Sequence, residues 1–206
     1  MSLSVWFGLV AACFLISFTP GAGAINTMAN SITAGWARSV WGIAGQQVAL
    51  VAHIGIVAAG VGVLVANSPL LFNIVRYAGA AYLVYLGVRQ WRARPQGQVD
   101  ETIMPTESSW SMARRGVLVN LTNPKAVVFF LAFTPQFIRP SHPLAPQYLV
   151  LAATVVVIDV VVMWFCFAAA AKGLRRMTRS GAGQTRLNRL FGGMFVGVGA
   201  LLAIVH

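Results

Sequence analysis

Two interruptions that contain proline, about half a chain apart, divide what would otherwise be continuous apolar stretches. The first is Ser17-Phe18-Thr19-Pro20-Gly21-Ala22-Gly23-Ala24-Ile25-Asn26, and the second is Asn120-Leu121-Thr122-Asn123-Pro124-Lys125. Proline lacks a backbone N–H and clashes with the preceding helical turn, so we expect one helix to break between Thr19 and Gly21 and another at Asn123-Pro124. Two breaks at corresponding positions predict a chain built from two similar halves.

The stretches around these interruptions are too apolar for a soluble domain. Hydrophobic residues make up 58% of the chain and charged residues only 9%, whereas roughly a quarter of the residues in a soluble domain are charged. A membrane span needs about 20 residues, so the 206 residues accommodate roughly six transmembrane helices. The spans run from about Leu3 to Ile32, Val40 to Val65, Leu70 to Val88, Gly116 to Phe137, Tyr148 to Ala171 and Leu190 to Val205.

These spans predict an all-α membrane protein with a single transmembrane domain over residues 1–206, in which helices 1 and 4 are broken at Pro20 and Pro124. Repeat 1 covers about residues 1–90, a cytoplasmic loop about 91–113, and repeat 2 about 114–206. Met1 to Ser4 contain no Lys or Arg, so we expect the first span to be retained rather than removed as a signal peptide. The second and sixth spans are rich in glycine, which permits close packing within one subunit or between subunits and leaves a homo-oligomer open.

The net charge of +11 is concentrated between the spans. Loops 1, 3 and 5 hold Arg38, then Arg89, Arg92, Arg94, Arg114 and Arg115, then Lys172, Arg175, Arg176, Arg179, Arg186 and Arg189, whereas loops 2 and 4 hold only Arg139 and at most Arg76. Excess Lys and Arg marks cytoplasmic loops, so we expect loops 1, 3 and 5 in the cytoplasm and both termini on the outer side. Each half has three spans, so the second half enters from the opposite side as an inverted repeat. Charges at span ends also argue against nucleic-acid binding.

The interrupted helices are the first candidates for a binding site. Unwound backbone at membrane depth is tolerated only where it is buried in protein or lines a cavity, and the N-terminus of a half-helix attracts anions such as a carboxylate. The alternative is a structural kink whose free backbone groups bond to nearby Ser and Thr side chains. The candidate substrate-binding residues are Thr19, Pro20, Gly21, Gly23, Asn26, Asn120, Asn123, Pro124 and Lys125.

Three ionisable residues inside the spans are candidates for a functional role. Asp159 is the one acid there, and because a carboxylate in the bilayer is costly, it could hold a substrate ammonium group or carry a coupling proton. Lys125 could bind a carboxylate, pair with Asp159 or extend its side chain to the interface. His53 could relay protons because imidazole titrates near neutral pH, or it could be a packing residue. A structural pair of Asp159 with Lys125, or a hydrogen bond to His53, is the alternative to a functional role.

Enzyme and metal signatures are weak. Gly21-Ala22-Gly23 lacks the third glycine and the strand-turn-helix setting of a dinucleotide-binding loop, and neither HExxH nor GxSxG occurs. His53, His142 and His206 lie at a span, a loop and the terminus, so their spacing does not predict a metal cluster. We therefore expect neither enzymatic activity nor a cofactor. A passive channel would share the broken helices and remains an alternative.

The two proline motifs, the stretch Phe129 to Phe137 with its Pro135-Gln136-Phe137, the run Gly79 to Gly87 and the closing Gly192 to Ala203 run together resemble the LysE/RhtB family of bacterial amino-acid exporters. The resemblance covers nearly the whole chain, and within the family the sequence is most similar to the homoserine, homoserine-lactone and threonine exporters.

This resemblance implies a multi-pass transporter in the bacterial inner membrane that exports small amino acids, such as homoserine, threonine or homoserine lactone, in exchange for protons. The partners it implies are the amino-acid substrate, protons and the lipid bilayer. Other neutral or basic amino acids remain alternative substrates because relatives in the family differ in what they carry.

Overall fold

The computed structural model describes residues 3–19, 21–61, 68–93, 107–139, 141–171, 173 and 181–204. Within these ranges the chain is helical and contains no β-strand, as predicted. The helices are α1 (Leu3–Phe18), α2 (Ala22–Ala34), α3 (Val40–Ile56), α4 (Pro69–Trp91), α5 (Ser109–Leu121), α6 (Pro124–Phe133), α7 (Leu144–Val161) and α8 (Gly181–Ile204). Three of them change pitch: α3 continues as the π-helical segment Val57–Val61, α6 as the 3₁₀ segment Thr134–Phe137, and α7 as the π-helical segment Val162–Ala168.

Both predicted helix breaks are confirmed. Helices α1 and α2 meet at 59°, and α5 meets the segment formed by α6 and its 3₁₀ extension at 58°. In the second break, Pro124 is the first residue of α6, where its missing N–H is not needed, and Asn123 Oδ1 accepts a hydrogen bond from Lys125 N at 3.1 Å. Gly21 precedes α2 in an extended conformation, and among the described residues no side chain caps this helix start. Pro20 itself lies outside the described residues.

The lengths and apolar character of the helices are those of a membrane protein. Val40–Gly60 and Leu144–Ala171 are each long and apolar enough to cross a bilayer, and the described residues give up to four such spans if each bent pair counts as one. Helices α4 and α8 are 23 and 24 residues long but are not among these candidate spans. The described residues therefore support two to four spans, and the count of six stays a prediction.

Some helices extend beyond the predicted apolar spans. α5 begins at Ser109, within the stretch predicted as a loop, because Ser108 Oγ accepts a hydrogen bond from Ser111 N at 3.2 Å and caps the helix. α8 likewise begins at Gly181, before the predicted start at Leu190. Hydropathy marks the part of a helix that contacts lipid, whereas capping groups decide where the helix ends.

Glycines set the distance between two pairs of helices. A Cβ atom added to Gly45 of α3 would lie 2.0 Å from Ala113 O of α5, and one added to Gly116 of α5 would lie 2.1 Å from Gly42 O of α3. Between α4 and α8, a Cβ on Gly192 would lie 2.6 Å from Gly87 O. The backbones therefore touch in both pairs, as is common where small residues meet in membrane proteins.

A largely apolar core joins α1, α6 and α7. Phe129, Phe130 and Phe133 of α6 are buried beside Leu9 and Cys13 of α1, and the rings of Phe129 and Phe133 stack with centroids 4.6 Å apart. The core continues through Leu151, Val155 and Ile158 of α7. α1, α6 and α7 therefore share one buried apolar cluster.

Two tryptophans join the end of α2 to the π-helical segment after α7. The rings of Trp36 and Trp164 stack with centroids 4.8 Å apart. Each indole N–H donates to the other residue's backbone carbonyl, Trp36 Nε1 to Trp164 O at 3.0 Å and Trp164 Nε1 to Trp36 O at 3.3 Å. Nearby, Ser31 Oγ donates to Ala168 O at 2.7 Å. The second half of the first broken helix is therefore bonded to the π-helical segment that follows α7.

We expect Gly45→Ala and Gly116→Ala to lower the melting temperature of the purified protein strongly, because each added methyl group would overlap a backbone carbonyl and separate α3 from α5. Overpacking of this kind costs about 1–3 kcal/mol or more. Thermal unfolding in detergent measures the effect. Gly55→Ala in α3 is the matched control, because nothing lies within 4 Å of its added Cβ. Equal melting temperatures for all three variants would contradict the backbone contact.

Candidate functional site

A cavity lies where the two helix breaks approach each other. Its empty volume is about 480 Å³, including the open space at its mouth. Both breaks and the middles of α3 and α7 contribute to its wall. The lining residues are Cys13, Ile16, Ser17, Gly23, Ala24, Gln46, Leu50, Asn120, Asn123, Lys125, Ala126, Phe129, Phe130, Val155, Asp159 and Met163.

Lys125 extends from the start of α6 to the end of α1. Its Nζ donates to Thr19 O at 2.6 Å and to Ile16 O at 3.0 Å, and the residue is only 8% exposed. The last carbonyl groups of a helix lack partners within the helix and carry the negative end of its dipole, so an ammonium group stabilises them. An ammonium has three donors, and the third has no partner among the described residues.

Asp159 of α7 lies on the cavity wall and accepts two hydrogen bonds. Ser17 Oγ donates to Oδ1 at 3.0 Å, and Gln47 Nε2 donates to Oδ2 at 2.8 Å. The carboxylate is not within salt-bridge distance of the Lys125 ammonium, and it has no hydrogen bond to His53, two residues that the structure describes fully. Both structural pairings considered for Asp159 are therefore absent from this arrangement.

A polar wall runs along the start of α2. Gln46 Nε2 donates to Gly23 O at 3.1 Å and to Thr27 Oγ1 at 3.0 Å. A Cβ added to Gly23 would lie 2.9 Å from Gln46 Oε1 and 3.7 Å from Asn120 Oδ1. Gln46 Oε1 has no hydrogen-bond partner among the described residues. Two amide oxygens that can accept hydrogen bonds from a ligand, Gln46 Oε1 and Asn120 Oδ1, therefore lie close to Gly23.

The remaining predicted residues at the breaks differ in their surroundings. Asn123 lines the cavity and caps α6, with its Nδ2 3.4 Å from Asn120 Oδ1. Gly21 lies against Lys125, since an added Cβ would be 3.3 Å from Lys125 Cε. Pro124 starts α6 and is exposed. The Thr19 hydroxyl donates to Leu15 O of its own helix at 2.7 Å, so Thr19 offers the site its carbonyl oxygen instead.

His53 lies outside the cavity wall. His53 Nε2 is 3.3 Å from Asn120 O, and its ring lies beside Phe130 with centroids 5.9 Å apart. Because it bonds to a carbonyl near the end of α5, His53 supports the second break. No contact between His53 and Asp159 supports the predicted role of His53 in proton relay.

Asn26 belongs to a separate polar cluster. Arg115 Nε donates to Asn26 Oδ1 at 3.0 Å, Arg115 Nη2 donates to Asn30 Oδ1, and Arg115 Nη1 pairs with Glu107 Oε2 at 2.7 Å. The amide nitrogens of Asn26 and Asn30 are buried without a hydrogen-bond partner among the described residues. This cluster joins α2 to α5 beside the cavity rather than within it.

Gln46 and Gln47 were not predicted as site residues. Adjacent side chains on a helix point in different directions, and here Gln46 bonds to the start of α2 whereas Gln47 bonds to Asp159. The signal that could have identified them is their polarity within the glycine-rich second span, which otherwise contains few hydrogen-bonding side chains.

We expect Gln47→Leu to destabilise the protein less when Asp159 is absent. In the wild type, the substitution removes a donor from a buried carboxylate, a loss of about 1–3 kcal/mol, but it also removes the buried Gln47 Oε1, which has no partner among the described residues. A double-mutant cycle with Asp159→Leu separates the two effects. Thermal unfolding of the four proteins measures the coupling.

The matched control is Gln136→Leu, because Gln136 Nε2 bonds to Ala132 O at 2.9 Å within its own helical segment. This substitution should cost the same with and without Asp159. If Gln47→Leu also costs the same in both backgrounds, the bond to Asp159 contributes nothing to stability.

The sequence is similar to a known family and to individual proteins of that kind. The profile of the LysE type translocator family matches residues 14–206. The chain is 44% identical over 204 residues to a protein of Salmonella typhimurium described as "Homoserine/homoserine lactone efflux protein", and 42% identical over 204 residues to one of Salmonella typhi with the same description, covering 98% of each chain. It is also 42% identical over 203 residues, 98% of each chain, to a Vibrio cholerae protein described as "Uncharacterized membrane protein".

No solved structure matches the chain. The family profile covers nearly the whole sequence, and the helices described above are long and apolar enough for a membrane protein. The chain therefore belongs to the LysE family, and is a membrane transporter rather than an enzyme.

Proposed function

We propose that this protein is an inner-membrane transporter that exports small amino acids, namely homoserine or threonine, or homoserine lactone, in exchange for protons. The observation that carries the proposal is a cavity between two helix breaks whose wall contains both Lys125 and Asp159 without a salt bridge between them. Homoserine and threonine each carry one carboxylate and one ammonium group, so their charges complement those of the cavity, whereas homoserine lactone has only the amine to offer to Asp159. The descriptions of the two Salmonella relatives support this substrate class.

The substrate carboxylate would bind at the side of the cavity near Lys125. The third donor of the ammonium group faces no other partner among the described residues, and the start of α2 has no side-chain cap there. Backbone N–H groups at a helix start attract anions. We place the carboxylate between these two groups, with Gly21, Gly23 and Asn123 providing the surrounding surface.

The opposite side of the cavity would bind the ammonium group and the side chain. Asp159 is the acid on the cavity wall, and Gln46 Oε1 with Asn120 Oδ1 lies beside Gly23. These amide oxygens could accept a hydrogen bond from the hydroxyl group of homoserine or threonine. An apolar side chain would leave them without that bond, so the polar wall favours a hydroxyl-bearing substrate.

Exchange for protons follows from the position of Asp159. A buried carboxylate is costly in a membrane unless it is protonated or paired. Its hydrogen bonds from Ser17 and Gln47 come from neutral side chains. The carboxylate can be neutralised either by a proton or by the substrate ammonium group, but not by both at once. Competition between the two for one carboxylate would exchange amino acid for protons.

Two features support an inverted repeat of three spans in each half. α1 packs against α7, α5 packs against α3, and α4 packs against α8. If the two halves were exchanged, α1 would take the place of α5 and α7 the place of α3. The first pair would then become the second, and the pair of α4 and α8 would stay the same. The arginine-bearing ends meet: Arg38 Nη2 donates to Glu107 O at 2.9 Å, and Gln90 Nε2 donates to Asn188 Oδ1 at 2.9 Å. We assign these ends to the cytoplasm and both termini to the outer side.

Purified protein in liposomes should move labelled homoserine faster when a proton gradient is imposed across the membrane. Asp159→Asn should abolish the effect of the gradient while the protein remains folded and inserted, because the amide cannot take up the coupling proton. Glu107→Gln is the matched control, since this acid lies outside the cavity.

Gradient-independent movement by the wild type would favour the passive channel, which needs no titratable group. No movement of homoserine or threonine by inserted wild-type protein would contradict the proposed substrates and direct the assay to other neutral and basic amino acids. Unchanged coupling in Asp159→Asn would contradict the role of this carboxylate.

Gly23→Ala should reduce homoserine transport several-fold and lower the melting temperature as well. The methyl group would lie 2.9 Å from Gln46 Oε1 and would fill space beside the polar wall. Because hydrogen bonds hold the Gln46 amide to Gly23 O and Thr27, the side chain cannot easily move aside. The control is Gly8→Ala in α1, where the nearest atom to the added Cβ is 3.9 Å away. Full transport by Gly23→Ala would show that substrate does not pass this wall.

A further inference from the structure

The end of α1 binds a cation that belongs to the chain itself. Lys125 Nζ is 2.6 Å from Thr19 O and 3.0 Å from Ile16 O. Ile16 lies in the last turn of α1 and Thr19 directly follows it, where carbonyl groups lack the full set of N–H partners of a continuing helix. Ile16 O accepts one further hydrogen bond, from Thr19 N at 3.2 Å. Within the described residues, no other side chain donates to these two carbonyls.

Carbonyl groups at such helix ends are suitable ligands for monovalent cations. They present several oxygen atoms to one point, and the helix dipole adds negative potential there. In broken membrane helices, unwound carbonyls and the C-terminal ends of half-helices coordinate ions. Here the ammonium group occupies the position that such an ion would take.

The surroundings are negative as well as polar. Ser17, in the same turn as Ile16, donates to the Asp159 carboxylate at 3.0 Å, so α1 ends close to the acid of the cavity. The position is also next to the open space, since Ile16, Ser17, Lys125 and Asp159 all line the cavity. A small cation that enters the cavity could therefore reach these carbonyl groups if the lysine side chain were absent.

The lysine side chain fills its space closely. A Cβ on Gly21 would be 3.3 Å from Lys125 Cε and 3.6 Å from Nζ. Shortening residue 125 would leave room for a small ion, whereas an unbranched apolar side chain of similar length would fill the same room without charge.

We propose that the Lys125 ammonium group is a tethered cation that fills a monovalent-cation site at the C-terminal end of α1. The covalent cation holds the two halves of the protein together at the break, because α6 supplies it and α1 binds it. The natural protein then needs no free sodium or potassium at this position. A short residue at position 125 converts the position into a site for a free cation, with ammonium and methylammonium as the closest chemical matches.

The test compares Lys125→Ala with Lys125→Met. Each protein is extracted and purified in choline chloride and, separately, in equal concentrations of ammonium, methylammonium, sodium or potassium chloride, and its melting temperature is measured. Lys125→Ala should unfold at a lower temperature than wild type in choline and recover several degrees in ammonium or methylammonium, because a ligand that binds only the folded state stabilises it. Wild type and Lys125→Met should respond equally little to the choice of cation.

The proposal is overturned if Lys125→Ala responds to the cations no more than Lys125→Met does. It is also overturned if Lys125→Ala and Lys125→Ser fail to fold in choline and fail equally in ammonium, because a free ammonium ion should replace the lost group. Stability like that of wild type for Lys125→Met in choline would also overturn it, because the charge would then not be needed at this position.

Homoserine transport is a second measurement and rests on the proposed function. Lys125→Ala in liposomes should be inactive in choline and partly active with methylammonium inside and outside, whereas Lys125→Met should stay inactive in both. If wild type moves no homoserine, the proposed substrate is wrong, and the melting temperatures still decide whether Lys125 is a tethered cation.

Discussion

The hydrogen bonds from Lys125 to the last carbonyls of α1 are the interaction on which the cavity depends. A membrane offers no water to backbone groups that a break in a helix leaves without partners. Here, the ammonium group bonds to Ile16 O and Thr19 O, while Asn123 caps the start of α6. His53 lies within hydrogen-bond distance of Asn120 O near the end of α5. Side chains from another part of the chain therefore satisfy each break, so the breaks and the cavity between them form together.

Close helix contacts make this exchange of side chains feasible. Gly42, Gly45 and Gly116 bring α3 and α5 into backbone contact, which places Gln46 beside Asn120, whose Nδ2 donates to Gln46 O at 3.1 Å. Bulkier residues would separate these helices and lengthen such bonds. Small residues at the contact therefore contribute indirectly to the geometry of the polar wall, although they bear no functional group.

Much of the fold could be predicted from local chemistry, and the site only in part. The breaks follow from Pro124 and from the glycines after Pro20, and the cost of charge in a membrane directed attention to Lys125 and Asp159, which line one cavity. The hydrogen bonds of Thr19 and the position of His53 depend on helix rotation and on partners far along the chain, which a single sequence does not specify. Asn26 is polar and near the break, yet it faces Arg115. Gln47 is hard to distinguish from a packing residue until its contact with Asp159 is known.

The paired tryptophans limit how the first broken helix can move. Trp36 and Trp164 each bond to the other's backbone carbonyl, and their rings stack. Sliding of α2 along the π-helical segment that follows α7 would break both hydrogen bonds and the stacking together. A rotation that carries both segments as one rigid body keeps all three contacts. α2 is therefore tied at its far end to the segment that continues α7, and α1 is tied to α7 itself through Ser17 and Asp159, so both arms of the first broken helix move with one neighbouring helix.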